Sequence, residues 1–119
     1  MLELTDLIFL TSLCFVAIGH ELDAIQQEEW RFFFAKVPIS ETAAYQLFNA
    51  IHVPAYIWMI VVWQSPAFQL GFSLFAIAHA GVHFALRNHP LINFDGWFSR
   101  LWIDGGGLLA IFYLLLRVA

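Results

Sequence analysis

Charge is what this sequence has least of. Its 119 residues carry 5 Lys and Arg and 9 Asp and Glu, 12% of the chain, about half the share of an ordinary soluble domain. Hydrophobic residues make up 61%, and the mean hydropathy is +0.76. A chain of this length cannot hide so much apolar surface inside a water-facing fold, so a bilayer must cover it. A basic excess is also missing. The net charge of −4 excludes a nucleic-acid partner, which needs a basic face to neutralise phosphates. With Cys14 as the single cysteine, an internal disulfide is excluded, and cysteine usage does not reveal the compartment. The opening Met1-Leu2-Glu3-Leu4-Thr5-Asp6 lacks the positive charge of a signal peptide, so the first apolar run is expected to be retained as a span. No internal repeat or low-complexity tract interrupts the chain, and its length predicts one domain, residues 1–119.

What the chain does have is four apolar runs, near residues 4–25, 42–63, 67–86 and 97–118. Each comes close to the roughly 20 residues a helix needs to cross the hydrocarbon core. The expected fold is therefore an all-α integral membrane protein with four transmembrane helices in a compact bundle. In the first run the purely apolar part, residues 7–19, is too short to cross alone. His20, Glu21 and Asp23 must then lie within the helix, near the membrane boundary. Ser12, Val16, His20, Asp23 and Gln27 follow helical spacing and share one face, with Cys14 off that face. In loop one, Trp30, Phe32, Phe33 and Phe34 beside Arg31 and Lys36 read as an interfacial belt. Glu28 and Glu29, like Asp95 further on, read as solvated charges. Val37-Pro38 stops one helix, and Ser40 is a suitable N-cap for the next, with Glu41 in its first turn.

The second span places Tyr45, Asn49, His52 and Tyr56 on one stripe, with Pro54 inside the helix. A membrane helix tolerates such a proline when neighbours satisfy the freed carbonyl. Gln64-Ser65-Pro66 makes a tight turn. The third span carries His79 and His83 one turn apart, and Gly81 with Ala85 as a small-residue pair that allows close helix packing. Loop three, residues 87–96, holds His89, which is expected to be exposed. In the fourth span Arg100 and Asp104 are an i,i+4 ion pair. Gly105-Gly106-Gly107 offers a surface without side chains for another helix or a ligand.

Loops one and three side by side hold Arg31, Lys36, Arg87 and Arg100, whereas the opposite side holds only Arg117. The positive-inside rule then puts those loops in the cytoplasm and both termini outside. At about 1.5 Å per residue, His20, Asp23 and His83 lie roughly a turn or less inside that face. His79, Asn49 and Asp104 lie roughly 10 Å in, and His52 a little deeper. The pattern predicts one polar chamber open to that side, with the other half of the bundle almost wholly apolar.

The i,i+4 spacing of His79 and His83 can put two imidazoles on one metal ion. His20 and His52 at similar depth complete a candidate ligand set of four histidines, suited to zinc or iron. Asp23 and Asp104 are candidate bases or supports for the ligands, and Glu21, about 100° around the helix from His20, is a further candidate catalytic group. Tyr45, Asn49 and Tyr56 are candidate contacts for a cofactor or substrate. Ionisable groups inside a membrane are functional by default, because their burial is expensive. The leading expectation is a metal-dependent membrane enzyme, a hydrolase or an oxidoreductase, acting on a lipid or another apolar small molecule. The alternatives are a proton-coupled transporter, which would have to be a homo-oligomer to build a pathway, a haem-binding bundle, and an accessory subunit whose polar cluster serves packing alone.

The run His20-Glu21-Leu22-Asp23-Ala24, followed by Glu29-Trp30-Arg31-Phe32-Phe33, then Asn49-x-x-His52 and His79-x-x-x-His83, resembles small bacterial membrane proteins of unknown function. The chain is most similar to the DUF6713 group and more distantly to the HXXEE-domain family, over most of its length. Asp23 and Ala24 stand where the HXXEE motif has its two glutamates, so no glutamate ligand carries over. The resemblance implies a four-helix fold in the bacterial inner membrane, with a site of histidines and acids.

Overall fold

Two serines set where long helices begin. Ser40 accepts a hydrogen bond from the Ala43 amide at 3.1 Å, and Ser65 accepts one from the Phe68 amide at 3.4 Å. Pro66 then takes the first helical position, where its missing N–H costs nothing. The computed structural model describes residues 1–119 and contains helices only. These are α1 (Leu4–Cys14), a π-helical segment (Phe15–His20), α2 (Glu21–Gln26), α3 (Trp30–Phe33), α4 (Glu41–Val62), α5 (Pro66–Ala85) and α6 (Trp97–Val118). α1, the π segment and α2 run on as one rod, Leu4–Gln26. With α4, α5 and α6 it makes four helices long and apolar enough to cross a membrane. The expected all-α, four-span architecture is thus the one observed.

α6 is the centre of the packing, between the α1 rod and α5. Gly106 lets it approach: the Ser12 hydroxyl donates to the Gly106 carbonyl at 2.8 Å, fully inside the protein. At Gly107 an added Cβ would sit 3.2 Å from the Ala80 Cβ. The triple glycine is therefore a contact surface for two helices at once, as its lack of side chains suggested. Below it, the Phe9 ring meets Phe68, Phe72 and Tyr113 edge-on or tilted. Gly81 behaves differently. A Cβ there would meet nothing within 4 Å, and Ala85 is exposed. This pair faces outward and does not join α5 to any helix of the chain. The half away from loops one and three also holds a polar pair that the sequence pattern did not suggest, Tyr113 donating to buried Gln69 Oε1 at 2.7 Å.

α4 stands apart. It buries only Ala44 and Phe48 and passes through Pro54 without a break. Near loop one it rests on α3, through Trp30, Ala44 and Phe48. Trp30 is thus buried under α4, while Phe33 keeps the exposed position expected of a belt residue. Further along, long side chains bridge the gap to the other helices. Tyr56 donates to the Ala17 carbonyl, His52 meets Glu21, and Trp58 packs edge-on against Phe68. Grooves remain on both sides of α4.

The end of α2 fixes the site's most consequential turn. Glu28 is the only non-glycine residue with positive φ, at 56°. Its amide donates to the Ile25 carbonyl at 3.2 Å, and the Glu29 amide donates back to Ala24 at 3.0 Å. This is the Schellman arrangement, with Glu28 in the position that glycine usually takes. A side chain in the left-handed region costs on the order of 1 kcal/mol. Glu28→Gly is therefore expected to stabilise the protein by about 1 kcal/mol, read as a raised thermal midpoint in detergent. A drop would mean that the Glu28–Arg31 ion pair at 2.9 Å outweighs the backbone strain.

Candidate metal centre

The histidines come from two rods. His20 ends the π segment, a local widening of the helix that often marks functional sites. His79 and His83 lie one turn apart on α5. His20 and His83 are buried and His79 is partly buried. The three offer ligand nitrogens that all lie within 4.8 Å of one another. His20 Nε2 is 3.2 Å from His79 Nε2. Glu29, carried back into the bundle by the turn at Glu28, brings Oε2 to 3.3 Å from His20 Nε2 and 3.9 Å from His83 Nε2. Around a tetrahedral ion bound at 2.0–2.1 Å, ligand atoms stand about 3.3 Å apart. The 3.2 and 3.3 Å separations match that spacing; the wider ones, 3.9 Å to Glu29 and up to 4.8 Å among the histidines, need the rings to close in by about 1 Å around an ion.

Glu29 is 5% exposed. Its place corrects the reading of Glu29 as a solvated charge: Gln26-Gln27-Glu28-Glu29 is polar throughout, and only the left-handed residue turns one of the four inward. Glu28 and Asp95 are exposed, as expected. Loop three closes the site at its own end of the bundle. Phe94, 2% exposed, packs its ring against His20 and His83, with centroids 5.2 and 4.8 Å away. Ile92 joins Ala24 and Ile103 beside it. The alternation Ile92-Asn93-Phe94, with only Asn93 exposed, was the available signal that this loop plugs the bundle.

The Nδ1 atoms of all three histidines, and Glu29 Oε2, have no hydrogen-bond partner in the protein. Each unpartnered buried polar atom costs about 1–3 kcal/mol. The atoms that converge are the Nε2 nitrogens, of which those of His20 and His79 lie within hydrogen-bond reach of each other; at the ligand point itself the buried atom without a partner is Glu29 Oε2. The donor set of imidazoles and one carboxylate fits zinc or iron.

His52 lies outside this group. Its Nδ1–H donates to the Phe48 carbonyl at 2.6 Å, and Nε2 faces Glu21 Oε2 at 2.6 Å. With Nδ1 committed as donor, one further proton is shared between Nε2 and the carboxylate. Glu21 Oε1 is 3.9 Å from His20 Nε2, so the Glu21–His52 pair flanks the cluster. The reason His52 stays out is the outward position of α4. Replacing His52 with Phe is expected to leave bound metal unchanged while lowering stability by about 1–3 kcal/mol, since Glu21 loses its partner. Metal analysis beside thermal unfolding checks both, and loss of metal would return His52 to the ligand set.

The remaining candidates divide in the same way. Asp23 is buried on the His20 face; Oδ1 accepts from Gln27 at 3.4 Å and Oδ2 has no partner. Asp104 is held by Arg100 through two bonds, from Nε at 2.9 Å and Nη2 at 2.7 Å. Tyr45 and Asn49 are exposed, and Tyr56 is tied to the Ala17 backbone. His89, part-buried, accepts from the Leu91 amide within loop three. A cavity of about 460 Å³ reaches the cluster from the side. Its walls include His79, His83, Glu29, Glu21 and His52, whereas His20, fully buried, forms the back of the site.

Fold and site together define a class: a small protein of four membrane-length helices with a buried histidine–glutamate cluster in one half of the bundle. The chain belongs to a family of unknown function, DUF6713, whose model matches residues 5–119. No curated protein and no solved structure matches it.

Proposed function

We propose that this protein is a membrane-embedded, metal-dependent enzyme whose substrate is a lipid or another apolar molecule arriving laterally from the bilayer. The observation that supports the reading is the gathering of His20, His79, His83 and Glu29 around one point, the histidine ligand atoms within 4.8 Å of one another and Glu29 at 3.3 Å from His20, beside a cavity that reaches them. Bound there, zinc would supply Lewis acidity for hydrolysis, with room for a reacting oxygen only if it took a fifth ligand or released Glu29, and iron, which takes more than four ligands, would supply the redox centre for oxidation by oxygen. The chain's own groups do the rest. His20 is the rear anchor, and His79 and His83 face the cavity. The Glu21–His52 pair holds a shared proton at the cavity wall, where a reacting group would need it. Asp23, buried on the His20 face, keeps Oδ2 without a partner. The positive-inside bias directs the site toward the cytoplasmic face.

Haem is the weaker reading. Two axial histidines stand on opposite faces of a macrocycle, whereas these three rings pack on one another with centroids 4.5 to 5.0 Å apart. The test is turnover. Metal-loaded protein in nanodiscs is given lipid esters, and separately fatty chains with oxygen, and the products are read by mass spectrometry. Folded, loaded protein that leaves every lipid unchanged, or activity that survives complete metal removal, would sink the proposal.

A further inference from the structure

We infer that the site takes a single-chain lipid with an anionic head, a long-chain fatty carboxylate, and that its tail lies in the groove between α4 and α5. The inference rests on the reading of the histidine–glutamate cluster as a reaction centre. A second cavity, of about 590 Å³, adjoins the first at Phe75, which lines both. Trp58 and Met59 of α4 form one wall, and Phe68, Gly71, Phe72 and Phe75 of α5 form the other. The one hydroxyl in its lining, that of Ser65, is at the far end and already caps α5. The two cavities together are apolar along their length and polar at one end only. That is the polarity of an amphiphile with one head.

Size and head chemistry narrow the occupant. Phe68 and His79 are separated by eleven helical steps, about 16 Å, close to the depth of one leaflet in a hydrocarbon core about 30 Å thick. At about 30 Å³ for a group the size of a water molecule, the groove holds on the order of 20 such groups, enough for one chain and too few for two. At the polar end, a divalent ion would be held by imidazoles and Glu29, and a carboxylate oxygen is a ligand such an ion takes beside them. Glu21 is occupied by His52, and Asp23 does not line the cavity, so neither fills that place from the cavity side. A carboxylate head at the end of a single chain can.

The test uses the full chain in phosphatidylcholine nanodiscs with a diazirine-bearing palmitate. Labelled peptides are mapped by mass spectrometry, and metal content is measured on the same samples. The expected result is labelling concentrated on the α4 and α5 residues of the groove, displaced by excess palmitate. Gly71→Trp fills the groove from a position where a Cβ meets nothing within 4 Å. It should cut groove labelling by about tenfold or more while metal content stays unchanged and the thermal midpoint does not fall. Labelling spread over the outer faces of all four helices, or insensitive to palmitate, would overturn the inference, as would labelling that survives Gly71→Trp. Groove labelling at full strength in metal-free wild-type protein would overturn the contact between the carboxylate and the ion, and with it the inference. Full metal content without groove labelling would overturn the inference and leave the metal reading standing.

Discussion

Replacing His79 and His83 together with alanine is expected to strip the protein of metal. After gentle detergent purification the wild type should hold about one zinc or iron per chain, and the double variant less than about a tenth of that. Glu29→Gln should weaken binding by on the order of 100-fold, because the carboxylate loses its charge while its shape is kept. The stability readout separates this role from a packing role. In metal-free protein the histidines keep buried Nδ1 atoms without partners, and losing these offsets part of the packing lost with the two rings. In metal-loaded protein the wild type should gain stability with ion concentration, by about 4 kcal/mol at a thousand times Kd. The variant should gain none. A wild type without metal, together with an alanine variant much less stable than the metal-free wild type, would make the cluster a packing device and end the enzyme reading.

The parts of this site that were legible in the sequence share one property: their position follows from helical period alone. Ser12, Val16, His20 and Asp23 are all buried on one face, as their spacing requires. His79 and His83 point into one site for the same reason. Ser40 begins α4 because its hydroxyl accepts from the backbone, a local preference that the sequence displays openly. What could not be read depends on the separation of helices and on one backbone angle. His52 has the right depth, yet α4 lies too far out for its ring to join the others, and depth alone does not report lateral distance. Tyr45 and Asn49 occupy the same helix as His52 and are left exposed by that position. Glu29 enters the cluster through a left-handed residue at Glu28, where no glycine announces the turn. Gly81 and the glycines of α6 look alike in sequence. Only the placement of the neighbouring helix makes the latter indispensable and leaves the former free.

That difference gives the second large effect. In an exposed helix, Gly→Ala stabilises by up to about 1 kcal/mol through backbone entropy. Gly71→Ala and Gly81→Ala, with nothing within 4 Å of the new atom, should show this gain. At Gly106 a Cβ would fall 2.5 Å from Val16 Cγ2. Val16 is 1% exposed and stiff about χ1, so α6 must move away from the start of the π segment and strain the Ser12–Gly106 bond. Gly106→Ala should therefore destabilise, by about 1–3 kcal/mol, the opposite sign to Gly81→Ala in the same assay. At Gly19 the clash is with the Trp102 indole, at 2.4 Å. That ring is held between Phe15 and Phe98, with centroids 5.1 and 5.6 Å away. The indole can yield only by disturbing both neighbours, or the π segment must shift and carry His20 with it. Gly19→Ala should accordingly lose stability and metal affinity together, whereas Gly106→Ala loses stability first. Thermal midpoints and metal titrations on the four alanine variants separate these outcomes. Equal tolerance at Gly19 and Gly81 would mean that α6 does not pack against the π segment as described, and that His20 is not held in place from behind.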